Sequence, residues 1–160
     1  FFLQSQVAVA KGRGEIIEPT EALTALDGKV LLLARPGFGV STPWAYKNLA
    51  KFPEAKNCPL GQADELAKCL SNCSLSEAVA LFYNSLELPA FDKYPLLKLM
   101  KEHALTNGAD VALMCGSGST IFAICPSASA AQAISQAIES RFGTLSLNQT
   151  VELPGRFTAG

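Results

Sequence analysis

Histidine is nearly missing: His103 is the only one among 160 residues. Ser-His-Asp or Cys-His chemistry would have to pass through that one side chain, and nothing pairs with it in sequence. Five cysteines stand at Cys58, Cys69, Cys73, Cys115 and Cys125, yet no Cys-x-x-Cys pair occurs. Zinc-ribbon and thioredoxin-type readings therefore lack their basic spacing. Cys69 and Cys73 would share a helix face, but a metal site there lacks two further ligands, so none is expected. Reduced thiols in a reducing compartment are the simplest reading. Long hydrophobic runs are absent too; stretches such as Val30 to Ala34 are far too short to span a bilayer. An excess of basic charge is also missing. Thirteen Lys+Arg oppose fourteen Asp+Glu for a net charge of −1, which argues against a nucleic-acid surface.

What is present suits a soluble globular chain. Hydrophobic residues make up 49% and charged residues 17%, enough for a core and too little charge for disorder. The chain opens on Phe1-Phe2-Leu3, without Met and without the basic region of a secretory signal. Two bare phenylalanines gain nothing in water, so the chain is expected to be part of a longer one.

Val7 to Ala10 and Glu15 to Glu18 read as short strands around a Lys11–Gly14 turn. Lys29 to Ala34 is a buried strand by composition. Thr42 is placed to cap a helix with Pro43 at its first position, carrying Trp44, Tyr46 and Leu49. Gly61 to Leu70 looks helical, and Ser74-Leu75-Ser76-Glu77 is a capping box opening a helix through about Tyr83. Asp92 is placed to cap a helix with Leu96, Leu97, Met100 and Ala104 on one face, ending at Asn107-Gly108. Ala109 to Met114 and Thr120 to Cys125 read as strands. Ala130, Ala133, Ile134, Ala137, Ile138 and Phe142 give the clearest helical period, stopped at Gly143. A last strand is expected near Leu145 to Leu153. From Lys29 onward the order predicts an α+β split-βαβ arrangement, with two helices on one face of a mostly antiparallel sheet.

Three segments could carry chemistry. Gly116-Ser117-Gly118-Ser119 lets the backbone approach a ligand, and its N–H groups could form an anion nest. A plain hairpin turn would look the same. Pro43 and Tyr46, one helical turn apart, could stack on a flat ring or anchor the helix in a core. Lys11-Gly12-Arg13-Gly14-Glu15 could hold a polar substrate or be a solvated hairpin.

In order along the chain, these segments resemble a family. Phe1-Phe2-Leu3, Ala10 to Glu15, and Arg35-Pro36 to Tyr46 look like the second half of the 4-diphosphocytidyl-2-C-methyl-D-erythritol kinases, within the GHMP superfamily. Asn84-Ser85-Leu86-Glu87 resembles that family's Asn-Asp-Leu-Glu, with Ser85 in place of Asp. Ala112 to Ala123 is similar to its third GHMP motif, with Cys115 in place of Ser.

The resemblance implies a GHMP C-terminal domain of ferredoxin-like fold at residues 27–160, preceded at 1–26 by the last strands of an N-terminal domain. It implies transfer of the ATP γ-phosphoryl, with Mg²⁺, to the 2-hydroxyl of the cytidyl substrate in isoprenoid precursor biosynthesis. The catalytic Asp, the assisting Lys and the ATP loop are expected upstream of Phe1, so the chain alone is expected to be inactive and to contribute little of the ATP and Mg²⁺ binding. On this template Tyr46, with Pro43, is the shelf for cytosine. Gly116, Ser117, Gly118 and Ser119 line the phosphate region, and Arg13 lies near the substrate entrance. The expected partner is a small molecule rather than nucleic acid or membrane, in bacterial cytoplasm or plastid stroma. A non-catalytic small-molecule-binding α+β domain and a GHMP kinase of another substrate class are the alternatives.

Overall fold

The computed structural model describes residues 7–12, 14–56 and 61–153. In chain order the strands are β1 (Ala8–Lys11), β2 (Ile16–Pro19), β3 (Val30–Arg35), β4 (Val111–Met114), β5 (Ile121–Cys125) and β6 (Leu147–Glu152). The helices are α1 (Thr42–Leu49), α2 (Gln62–Asn72), α3 (Leu75–Ala78), α4 (Glu87–Lys93), α5 (Pro95–Thr106) and α6 (Ala128–Phe142). Described residues of Phe1–Gly28, Pro59–Phe82 and Leu153–Gly160 form one compact unit, and those of Lys29–Cys58 and Tyr83–Glu152 a second.

In the first unit β1 and β2 pair antiparallel, Ala8 opposite Pro19 and Lys11 opposite Ile16. The turn closes when the Gly14 N–H donates to the Lys11 carbonyl at 3.0 Å. Gly61, at φ +86°, opens α2, and the Thr24 hydroxyl donates to the Ser71 carbonyl near its end. The Ser74–Glu77 capping box is present: the Glu77 carboxylate accepts from the Ser74 N–H at 2.8 Å and from its hydroxyl at 2.6 Å. The helix it opens is shorter than the sequence suggests. It tightens into a 3-10 turn over Val79–Leu81, and Phe82 is already extended. The capping box starts the helix but cannot prolong it.

The second unit is a four-stranded antiparallel sheet in the order β4-β5-β3-β6. Counted within the unit, the order is second, third, first, fourth, the ferredoxin-like split βαβ arrangement. Register explains the core. Val30 faces Cys125; Leu32 faces Ala123, which faces Ala112; Ala34 faces Ile121, which faces Met114. These side chains share one face because strands alternate with period two. All are buried, together with Leu97, Met100 and Ala104 of α5 and Ala131, Ile134 and Ile138 of α6. Strand β6 lies at the edge opposite β4, with all its residues but Leu147 exposed.

Three local expectations change. Asp92 does not cap α5; it lies inside α4, and α5 starts on Pro95 behind Tyr94. Proline at the first position presets φ and wastes no N–H, so no side-chain cap is needed. Thr42 does not cap α1 either: Ser41 holds that position, and the Thr42 hydroxyl is committed elsewhere. On α6, Ala133 is exposed while Ser135 is buried, its hydroxyl donating to Asn148 Oδ1 at 2.8 Å.

Candidate functional site

The β4–β5 hairpin is the best-organised loop of the second unit. The Cys115 N–H donates to the Thr120 carbonyl at 2.8 Å and the Gly118 N–H to the Cys115 carbonyl at 2.9 Å. Gly116 and Gly118 sit at φ +50° and +92°, a region costly for residues with a Cβ. Their surroundings differ. A Cβ on Gly116 would meet nothing within 4 Å, whereas one on Gly118 would lie 2.7 Å from Met114 Sδ.

Side chains outside the loop fasten it. Asn84 Nδ2 donates to the Met114 and Gly116 carbonyls, both at 2.8 Å. Thr42 Oγ1 and Ser117 Oγ are 2.8 Å apart, which ties the start of α1 to the loop tip. The Ser119 hydroxyl, 2% exposed, donates to the Phe38 carbonyl. Among the described residues, the N–H groups of Gly116, Ser117 and Ser119 have no acceptor. Open amides on a glycine-rich turn are the kind of donor an anion such as phosphate takes. Desolvation by its neighbours raises the Cys115 thiol above its ordinary value, although the residue is exposed.

The structure brings Pro43, Tyr46 and the hairpin into one neighbourhood through the Thr42–Ser117 contact. Tyr46 is 61% exposed, which removes the core-anchor reading for that ring. Trp44, two residues earlier, is the anchor: it packs edge-on against Tyr94 at 6.1 Å with the Lys93 ammonium 4.2 Å from its ring centre. Arg13 lies outside the described residues. In the same turn Lys11 is engaged by Glu18 at 2.6 Å and Asp64 at 3.1 Å, and these bonds, Glu18 first, raise its pKa.

Sequence reasoning missed Thr42 as a tether and Asn84 as a clamp, although both lie in segments it singled out. It also missed a cleft of about 290 Å³ lined by Arg35, Pro36, Gly37, Phe38, Gly39 and Ser146. His103 packs edge-on against Phe142 at 5.5 Å and lies on α5. Among the described residues no group of three or more His, Cys, Asp or Glu side chains is placed to hold a metal. No helix of the described residues is long and apolar enough to cross a membrane.

Comparison with known proteins bears on the family and the fold. The family model described as GHMP kinases C terminal matches residues 52–144. The 4-diphosphocytidyl-2-C-methyl-D-erythritol kinase of Syntrophotalea carbinolica is 33% identical over 143 residues, covering 89% of this chain and 47% of the relative. That of Listeria innocua is 36% identical over 124 residues, covering 78% and 40%. The chain thus spans about half the length of the curated relatives it matches. A crystal structure of 4-(cytidine 5'-diphospho)-2C-methyl-D-erythritol kinase aligns with a TM-score of 0.69 at 26% identity, over 94% of this chain and 50% of that one. Homoserine kinase from Cytophaga hutchinsonii aligns at 0.71 with 21% identity, over 93% and 48%, a likeness of fold alone. With its ferredoxin-like sheet and a family match over more than half of its residues, this chain belongs to the GHMP kinase C-terminal family.

Proposed function

We propose that this chain is the C-terminal part of an ATP-dependent kinase that phosphorylates the 2-hydroxyl of 4-diphosphocytidyl-2-C-methyl-D-erythritol, in the bacterial cytoplasm or plastid stroma. The supporting observation is the tie between Thr42 and Ser117, which sets an exposed aromatic helix face beside a turn with three unpaired amides. Such a pair of surfaces suits a substrate with a flat base at one end and phosphates at the other.

Phosphoryl transfer asks for positioning and charge stabilisation more than for covalent chemistry. Bound ATP with Mg²⁺ supplies the transferred phosphoryl group. The hairpin amides of Gly116, Ser117 and Ser119 fit phosphate oxygens, and we assign them that role. We assign the cytosine ring to Tyr46 and Pro43; Arg13, expected at the substrate entrance, lies outside the described residues. The base that takes the hydroxyl proton is assigned outside this chain.

The test is an acceptor panel on the complete protein containing this chain, with Mg·ATP. The cytidyl substrate should yield ADP and a 2-phosphorylated product, and homoserine and mevalonate should yield none. The chain alone should give no product. Turnover of homoserine or mevalonate without turnover of the cytidyl substrate would overturn the assignment.

A further inference from the structure

The Asn84–Glu87 segment has no role in the function proposed so far, yet it makes a dense set of contacts with the hairpin. Strand β4 lies at an edge of its sheet, so the outer N–H and C=O of Met114 would otherwise be open. Two side chains close them. Glu87 Oε1 accepts from the Met114 N–H at 2.8 Å, and Asn84 Nδ2 donates to the Met114 carbonyl at 2.8 Å. Together they imitate the hydrogen bonds of one more strand. Both are themselves held. Asn84 Oδ1 accepts from the Leu86 N–H at 3.0 Å, and Glu87 Oε2 pairs with Lys101 at 2.6 Å.

Asn84 also reaches past the strand to the Gly116 carbonyl at 2.8 Å. A peptide unit is planar, so fixing the direction of the Gly116 C=O fixes the opposite direction of the Ser117 N–H. A hydrogen bond to that carbonyl also polarises the unit and makes its N–H a stronger donor. The Thr42–Ser117 hydroxyl contact holds the side chain beyond this peptide unit, while the Asn84 bond is made to the unit itself. We infer that Asn84 is a positioning residue that aims the Ser117 N–H at a phosphate oxygen, with Glu87 holding the strand end from which the loop springs. The inference rests on the kinase reading above for the identity of the anion.

The test uses the complete protein carrying Asn84→Asp, which keeps the acceptor for Leu86 and loses both donated bonds. The expected kcat is lower by on the order of 10–100-fold, as a displacement of about 1 Å can lower a rate roughly 100-fold. KM for the cytidyl substrate should stay within about twofold, because its base is assigned to α1. Glu87→Ala, which removes the acceptor for the Met114 N–H, should lower kcat in the same direction. Equal falls in kcat, melting temperature and affinity for both substrates would reduce Asn84 to a structural role and overturn the inference. So would an unchanged kcat in Asn84→Asp. Amide hydrogen exchange gives a readout that needs no activity. Asn84→Asp should speed exchange at the Cys115 and Gly118 N–H groups at least about tenfold, and unchanged exchange sinks the clamp. If the wild-type protein phosphorylates no cytidyl substrate, the kinase reading fails while exchange still decides the clamp.

Discussion

Two turns with glycines at positive φ join antiparallel strands in this chain, and they are held in opposite ways. The Lys11–Glu15 turn of the first unit is fixed by charge at its base, where Lys11 meets Glu18 and Asp64. The Cys115–Thr120 turn of the second unit is fixed from outside by Asn84 and Thr42, and by its own Ser119 on the Phe38 carbonyl. In the second turn the side chains leave three amides without acceptors and bury a hydroxyl. Satisfied flanking groups with open donors are what the anion role proposed for this loop requires.

The strongest way to break this contrast is a matched pair of glycine substitutions in the complete protein. Gly116→Ala and Gly14→Ala each add a methyl at positive φ where nothing lies within 4 Å. Each should cost about 1 kcal/mol of stability from backbone conformation alone. Only Gly116→Ala should also lower kcat, on the order of 100-fold if the amides move by about 1 Å. Equal kinetic effects in the two variants would dissolve the distinction.

Tyr46 sharpens the contrast on the substrate side. Tyr46→Ala should weaken the cytidyl substrate by about 1–3 kcal/mol, the range for stacking of a base on an aromatic ring. Tyr46→Phe should bind it as the wild type does, and the KM for ATP should hold in both. A loss shared by both substrates would instead mark a folding defect.

Gly118→Ala probes the loop's packing rather than its amides. The added Cβ would lie 2.7 Å from Met114 Sδ, so overpacking should cost about 1–3 kcal/mol in thermal or denaturant unfolding. Met114→Ala in the same background should recover part of the loss caused by Gly118→Ala, as neighbours sharing one contact are not additive. Strict additivity would show that the contact is not the cause.

The smallest effect concerns the first unit. Hydrogen bonds from the Ser74 hydroxyl and then the Ser74 N–H hold the Glu77 carboxyl below its ordinary value of 4.5. A depressed folded-state pKa adds stability above the unfolded value, and that stability is lost as pH falls through the folded one. The melting-temperature gap between wild type and Glu77→Gln should therefore be open at pH 7 and close in acid. A gap that does not change with pH would assign the contribution to something other than the ionised carboxylate.

Much of the fold was readable because strong local signals agreed with the tertiary environment. The α6 period and Gly143, the β4 and β5 runs, and Asn107-Gly108 after α5 all fell within a few residues of the observed bounds. α4 was not readable, since seven residues with Pro89 in the first turn give too short a period. Asp92 and Thr42 were misread as caps because a cap residue type marks only a local option, which other contacts can override. In the candidate site, the glycines and aromatics stood out as types. Asn84 stood out only as part of a motif, without a role, because its partners 30 and 32 positions away are known only from the fold.

The sequence by itself determined the α+β order of elements, the apolar rows that meet in the sheet, and the family to which the chain belongs. Periodicity and motif spacing are local, and they survive without coordinates. Tertiary structure decided which hydroxyls cap and which tether, which of Trp44 and Tyr46 packs against the core, and which hairpin amides stay open. Those outcomes depend on competition among donors and acceptors far apart in the chain. Only folding brings Asn84, Thr42 and Phe38 to the same few ångströms of loop.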